Sequence, residues 1–254
     1  MNFEVTELAV GRGATSVLTG LSFELKAGEL VGLIGPNGSG KTSLLRALAG
    51  LDTPQKGQLP AASLEPPHRR RKILAFLPQL APPAPSYSVR DFILMGSDEP
   101  LRWRAESSAL QRADEALQAT DLHPLADRSC DRLSGGEYRR TLLAATLAQG
   151  ASVLLLDEPC AGLDLPHAAL VMDHLNNWLQ GQRERRALVA MHDLNLASQF
   201  CDRVFLLGQN QLMGQDTPHR VLTPELLDRA FGPGLSCFEH PVSGQRVILA
   251  KVAR

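Results

Sequence analysis

The segment LVGLIGPNGSGKTSLLRALAG, residues 30–50, carries the strongest structural signal in the chain. It opens with a continuous apolar run that is typical of a buried strand, and it closes with apolar residues at helical spacing. The loop between them, GPNGSGKT, fits the phosphate-binding pattern G-x-x-x-x-G-K-[ST]. That pattern is specific when a strand precedes it and a helix follows it, so we predict a phosphate loop at residues 35–42.

The residue types of this loop suit the binding of a nucleoside triphosphate. Its glycines allow backbone N–H groups to wrap the phosphates, and Lys41 can reach the β and γ oxygens. The Thr42 hydroxyl can hold Mg²⁺. We predict nucleotide contacts from the whole loop and the residue after it, namely Gly35, Pro36, Asn37, Gly38, Ser39, Gly40, Lys41, Thr42 and Ser43.

Two further buried strands are predicted to end in polar side chains. VLLLDE from Val153 places Asp157 at the end of an aliphatic run, and ALVAM from Ala187 is followed by His192. Since α/β sheets bind ligands at the carboxyl ends of their strands, Asp157 is a predicted second Mg²⁺ ligand. We assign Glu158 to polarising the attacking water, and His192 to the γ-phosphate or that water.

These patterns predict an α/β fold, with a P-loop NTPase core built on a mainly parallel sheet. FEVTELAV from Phe3 and SVLTGLSFEL from Ser16 alternate apolar and polar residues, which predicts an N-terminal antiparallel sheet. The spacing in residues 104–122 predicts a helix within a helical insertion. We expect one domain over residues 1–254, with the insertion and the following helix at about 84–150 and a short helix and hairpin at 220–254.

Composition excludes several classes of protein. With 26 basic and 27 acidic residues, the chain has no overall field that would attract nucleic acid or an anionic membrane. The N-terminal MNFEVTELAV is acidic and is not a signal peptide, and no run of about 18 to 20 apolar residues could span a membrane. We expect a soluble cytosolic chain unless another protein holds it at a membrane.

A second glycine stretch, LSGGE at residues 133–137, opens another helix. With VLLLDEP, AGLD and MHDLN after it, it resembles the ATP-binding cassette (ABC) family, whose signature LSGGQ it matches except for Glu137. In that family, the signature of one subunit closes over the γ-phosphate held by the phosphate loop of the other. The resemblance therefore implies a homodimer held together by ATP, with Ser134, Gly135 and Gly136 donating across the interface.

The resemblance implies roles for three more residues. Gln79, after ILAFLP, matches the Q-loop glutamine that touches the metal and the water and reports to a membrane partner. Asp164 in AGLD matches the D-loop position at the dimer interface. Where relatives often have tyrosine in a VGYG-like turn, this chain has VGRG, so Arg12 is the candidate to stack on adenine.

Further motifs are similar to one subgroup of the family. FLPQ, SVRDFILMG, VLTPELLDRAFG and HPVSGQRVILA are similar to importer ATPases that serve ferric siderophores, cobalamin and haem. Membership implies ATP and Mg²⁺ as cofactors, an integral membrane permease as partner, and indirectly a periplasmic or surface substrate-binding protein. It places the chain peripherally at the cytoplasmic face of the membrane, with no role for nucleic acid.

Other interpretations remain open at this stage. An exporter ATPase is possible because the permease sets the direction of transport. A soluble ABC ATPase acting on nucleic acid, ribosomes or protein assembly is a second class, although the chain has neither the tandem cassettes nor the long coiled-coil insertions of such relatives. A P-loop kinase or GTPase does not account for LSGGE, and no N-K-x-D motif occurs.

Overall fold

The computed structural model describes residues 2–12, 15–97, 107–182 and 184–251, including every side chain in them except those of Arg12 and Ser107. The strands in these ranges are β1 Phe3–Arg12, β2 Thr15–Leu25, β3 Leu30–Ile34, β4 Lys56–Gln58, β5 Leu74–Leu77, β6 Val153–Asp157, β7 Arg186–Ala190, β8 Arg203–Gly208, β9 Gln211–Asp216, β10 Leu235–Glu239 and β11 Arg246–Ala250. The helices are α1 Lys41–Leu48, α2 Ala61–Leu64, α3 Pro67–Ile73, α4 Val89–Gly96, α5 Ser107–Ala119, α6 Gly135–Ala148, α7 Leu165–Gln180, α8 Leu194–Phe200, α9 Pro218–Val221 and α10 Pro224–Phe231.

The central sheet has the strand order β5-β6-β7-β3-β8-β9. All neighbours in it are parallel except β8 and β9, which confirms the predicted mainly parallel core. Strands β3, β6 and β7 are buried along their whole length, as their continuous apolar runs predict. Because β5, β6, β7 and β3 are neighbours and run parallel, the segments that follow them all leave from the same edge of the sheet.

The two faces of this sheet are covered by different layers. Strands β1 and β2, together with β4, form the predicted antiparallel sheet in the order β2-β1-β4. Their apolar residues pack with α1 and with one face of the central sheet, including Val31 and Leu155. The other face, including Leu154 and Leu156, packs against residues of α4 to α8. Alternate residues of β6 thus enter opposite cores, which fixes the direction of Asp157 at its end.

The helical insertion packs α4 and α5 on α6. Ile93, Ala113 and Leu117 are buried in the same core as the sheet face behind them. The predicted helix at 104–122 is described from residue 107, and it ends at Ala119 rather than at residue 122. Asp121 has a φ of 51°, which is left-handed backbone that no α-helix continues. The division of the chain at residues 84–150 stays a prediction.

The C-terminal segment lies against the sheet through α8. Strands β10 and β11 pair as an antiparallel hairpin after α10. The Asn195 side chain joins the hairpin to α8, since its Nδ2 donates to the carbonyl of Ile248 at 3.1 Å and its Oδ1 accepts from the Ile248 amide at 2.8 Å. Within the described ranges, the helices are all too short or too polar to cross a membrane.

Candidate active site

The phosphate loop joins β3 to α1 in a conformation that needs glycine. Gly40 precedes α1 with a φ of 97°, and a Cβ there would lie 2.8 Å from Cδ1 of Leu18. A Cβ on Gly35 would lie 2.6 Å from the carbonyl oxygen of Leu207. The first turn of α1 contains no acidic side chain, and none of the side chains that the structure describes caps it. The free N–H groups and the helix dipole therefore favour an anion at this position.

Lys41 is buried inside the loop. Its Nζ donates to the carbonyl oxygens of Gly35 at 2.7 Å and Pro36 at 3.2 Å. Burial lowers the pKa of Lys41, while the negative charges of Glu158 and Asp157 act in the opposite direction. The amine is thus held where the loop curls, and a phosphate oxygen can replace its carbonyl partners.

Asp157 is fully buried at the end of β6, and neither carboxylate oxygen has a hydrogen bond of good geometry to any described group. Burial raises the pKa of Asp157, and the nearby Thr42 hydroxyl lowers it in part. A buried carboxylate without partners is costly unless a cation satisfies it. Mg²⁺ prefers hard oxygen ligands, so the Asp157 carboxylate, the Thr42 hydroxyl and the Gln79 amide oxygen form a donor set that fits it.

The Glu158 side chain contacts two other predicted residues. Its Oε1 accepts a hydrogen bond from Nε2 of Gln79 at 2.8 Å and lies 2.6 Å from Nε2 of His192. Its backbone has a φ of 55°, a strained conformation that turns the chain immediately after β6. The carboxylate is therefore held by side chains from the segments that follow β5 and β7, at the edge of the sheet where α/β proteins bind ligands.

These residues line one open cleft of about 550 Å³. Its wall is formed by Val17, Asn37, Gly38, Ser39, Gly40, Lys41, Thr42, Ser43, Gln79, Glu158 and His192. The structure thus brings together most of the phosphate loop with the predicted base, the glutamine and the histidine. The predicted site residues that the structure describes outside this wall are Gly35, Pro36, Ser134, Gly135, Gly136, Asp157 and Asp164.

The second glycine stretch opens α6 on the surface. Ser134 caps the helix, since its Oγ accepts from the Glu137 amide at 3.3 Å and its own amide donates to Oε2 of Glu137 at 2.7 Å. This contact with the Ser134 amide is the main cause that lowers the pKa of Glu137. A Cβ on Gly135 or Gly136 would meet nothing within 4 Å. Contacts within the described chain therefore do not require glycine at either position.

The last two predicted residues are Asp164 and Arg12. Asp164 caps α7, where its Oδ1 accepts from the amide of His167 and contacts the ring of the same histidine. The bond to the His167 side chain is the main cause that lowers the pKa of Asp164. The backbone of Arg12 ends β1, but its side chain lies outside what the structure describes, so stacking on adenine stays a prediction.

Sequence reasoning missed Arg139, which lies in the first turns of α6. The guanidinium is buried and donates to four backbone carbonyl oxygens, those of Pro78, Gln79, Asp157 and Glu158. The only available signal was its place just after LSGGE, because an arginine in an amphipathic helix is otherwise a surface residue.

The fold and this set of strand-end side chains define a P-loop ATPase. The family model for ABC transporters matches residues 18–161, more than half of the chain. The chain is 36% identical over 257 residues to the hemin import ATP-binding protein HmuV of Pseudomonas entomophila, covering 98% of this chain and 99% of that protein. The chain therefore belongs to the ABC transporter family, as one of its ATP-binding proteins.

Two further similarities support this assignment. The cobalamin import ATP-binding protein BtuD of Halobacterium salinarum is 34% identical over 249 residues, which are 96% of this chain and 62% of that protein. A solved chain of a metal-chelate type ABC transporter, in an inward-facing conformation, superposes with a TM-score of 0.80 at 26% identity. It covers 99% of this chain, and 98% of its own length is matched.

Proposed function

We propose that this protein energises the import of a metal chelate, such as haem, a ferric siderophore or cobalamin, as a homodimer attached to an integral membrane permease. Relatives that match nearly all of this chain are named for hemin or cobalamin import. The proposed class of cargo rests on these similarities. The permease would place the chain at the cytoplasmic face, and a periplasmic or surface protein would deliver the cargo to that permease.

The cleft supports a mechanism of ATP hydrolysis. The phosphate loop and Lys41 would bind the phosphates, and Thr42, Asp157 and Gln79 would hold Mg²⁺, which would supply positive charge to offset that of the phosphates. Glu158 orients the attacking water and accepts its proton. Gln79 and His192 hold the Glu158 carboxylate in the cleft that the phosphate loop lines.

The open glycines of α6 support a composite site shared by two copies of the chain. Alanine is a better helix former than glycine, and neither Gly135 nor Gly136 is needed for contacts within the described chain. Both lie at the exposed N-terminus of a helix of 14 residues, which suits close approach by phosphate held on another copy. Ser134 and Asp164, also on the surface, would lie at the same interface.

Exposed apolar side chains near Gln79 support contact with a permease. Leu80 is 84% exposed and Tyr87 is 51% exposed in the proline-rich loop, and Met95 of α4 is 47% exposed. Large apolar residues that stay exposed within one segment of the chain favour a protein partner over solvent. The loop that holds Gln79 would then transmit the state of the nucleotide to the permease.

Uptake assays test the cargo class directly. A strain lacking this chain is supplied with labelled haem, ferric siderophore or cobalamin, and is complemented with the native chain or with Glu158→Gln. We expect the native chain alone to restore uptake of one of these compounds. Equal uptake with and without the native chain for all three compounds would contradict the proposed cargo class.

A further inference from the structure

Arg139 joins three segments of the active site through a single side chain. Its Nη1 donates to the carbonyls of Pro78 at 2.6 Å and Gln79 at 2.7 Å, directly after β5. Its Nη2 donates to the carbonyls of Asp157 at 2.6 Å and Glu158 at 3.1 Å, at the end of β6. Because Arg139 itself belongs to α6, it connects the helix of the LSGGE stretch to both strand ends.

The chemistry of this contact requires a guanidinium. The two nitrogens form a planar fork, and each of them bridges two consecutive carbonyls of a different segment. An ammonium donates from one point and cannot reproduce that span. Burial lowers the pKa of Arg139, and attraction to Asp157 and Glu158 partly offsets this. The charge is therefore stabilised by carbonyl dipoles and by the carboxylates of the site.

Other contacts tie the loop after Gln79 to the same helix. The Tyr138 hydroxyl donates to the carbonyl of Pro83 at 3.3 Å, and the Ser86 hydroxyl donates to Oδ2 of Asp131 at 2.7 Å. The amide of Cys130 donates to the carbonyl of Tyr87 at 2.8 Å. The loop is thus attached to α6 and to the turn before it at several points. Arg139 links the loop and α6 to the end of β6.

We infer that Arg139 is a positioning residue for hydrolysis. It fixes the positions of Gln79 and Glu158 relative to each other and to the LSGGE helix. The inference rests on the proposed roles of Gln79 and Glu158 in orienting water. Arg139 acts through their backbones, so its loss shifts their side chains without removing a group that binds phosphate. Displacement of a reacting group by about 1 Å can lower a rate 100-fold.

Arg139→Lys, which keeps the charge, and Arg139→Gln, which removes it, test the inference in the full-length chain. We expect both to lower kcat for ATP by about 10- to 100-fold, while the KM and the affinity for ATP change less than about threefold. Arg90→Lys and Arg90→Gln are matched controls, because Arg90 forms an ion pair with Asp114 at 2.6 Å in the helical insertion. We expect native kcat from both controls.

A double-mutant cycle with Gln79→Ala separates positioning from a purely structural role. If Arg139 acts through Gln79, the loss of kcat in the double variant is smaller than the product of the two single losses. Combining Gln79→Ala with Arg90→Lys should give the plain product. Circular dichroism and thermal unfolding, measured on each variant, give the folded fraction by which every kcat is corrected.

Several outcomes overturn the inference. Native kcat in Arg139→Lys would mean that charge alone matters, and multiplicative losses in the cycle would mean that Arg139 does not act through Gln79. Failure of both Arg139 variants to fold would assign the residue to structure only. Absence of hydrolysis by the native chain would instead refute the proposed function, so the two failures are distinguishable.

Discussion

Nε2 of His192 lies 2.6 Å from Oε1 of Glu158, the same oxygen that accepts the side-chain amide of Gln79. Two segments that follow different strands thus hold one carboxylate oxygen in place. The second oxygen, Oε2, takes no part in either contact, and we assign it to the attacking water. Glu158 is therefore the residue whose replacement should separate ATP binding from hydrolysis.

Glu158→Gln should retain ATP binding and lose turnover by about 10²- to 10⁴-fold, which is the contribution of a general base. The amide keeps the shape of the side chain but cannot accept a proton. ATP should then hold the closed dimer, which size-exclusion chromatography with MgATP detects. The exposed Glu225 on α10 provides a control, and Glu225→Gln should hydrolyse ATP normally. A Glu158→Gln variant that hydrolyses at the native rate would remove Glu158 from this role.

Gln79→Ala should reduce transport more than it reduces basal hydrolysis by the isolated chain. Gln79 lies between the end of β5 and the proline-rich loop, so its loss disturbs the connection to the permease as well as the cleft. The measurement compares uptake in cells with ATPase activity of the purified chain. Gln118→Ala, on the exposed side of α5, is the control that should change neither. Equal losses in both assays would show that Gln79 acts only within the cleft.

Asp157→Asn should stabilise the metal-free protein while abolishing Mg²⁺-dependent hydrolysis. The pKa of Asp157 is raised in the folded chain, so the ionised carboxylate disfavours folding at neutral pH. Replacing the ionised carboxylate with a neutral amide removes the cost of burying the charge, which should gain about 1 to 3 kcal/mol, with Tm rising about 2 to 4 °C for each kcal/mol. Asp114→Asn, which breaks a surface ion pair, should give no such gain.

The sign of the pH dependence follows from the same raised pKa. The destabilisation by Asp157 is complete above its folded pKa, decreases as the pH falls through that value, and is absent below the lower pKa of the unfolded chain. The difference in Tm between the native chain and Asp157→Asn should therefore disappear in acid. A difference that grows as the pH falls would contradict a net cost of burying the ionised Asp157 carboxylate.

The central strands and the phosphate loop are the parts of the fold that the sequence predicts best. Strands such as β3 and β6 are buried on both faces, so local hydrophobicity alone identifies them, and the glycine loop between β3 and α1 has a rigid steric requirement. The short helices α2 and α3 were not predicted, because neither has enough residues to show a period. The early end of α5 depends on one left-handed residue, Asp121, which apolar spacing does not reveal.

The sequence predicts those residues of the candidate site that belong to a motif or lie at the end of a buried strand. Lys41, Asp157 and Glu158 follow from motif and strand position, whereas the bond from Gln79 to Glu158 joins positions 79 residues apart. Arg139 illustrates the limit, since its four carbonyl partners exist only after β5 and β6 are paired. Because every residue has a backbone carbonyl, the sequence does not show which of them a buried guanidinium will bind.

The central claim is that each ATP lies between the phosphate loop of one chain and the LSGGE helix of another. Lys41→Ala disables the first half of the site, and Ser134→Arg disables the second half. In a mixture of these two variants, a heterodimer contains one fully defective site and one intact site. The intact site combines the phosphate loop of the Ser134→Arg chain with the LSGGE helix of the Lys41→Ala chain.

Size-exclusion chromatography with MgATP, with Glu158→Gln in both chains to prevent turnover, measures this complementation most directly. We predict that each variant alone stays monomeric, because both sites of its homodimer lack one half, and that the mixture forms a dimer dependent on ATP. Glu158→Gln alone is the positive control and should dimerise. A mixture that stays monomeric at every ATP concentration at which this control dimerises would contradict the shared site.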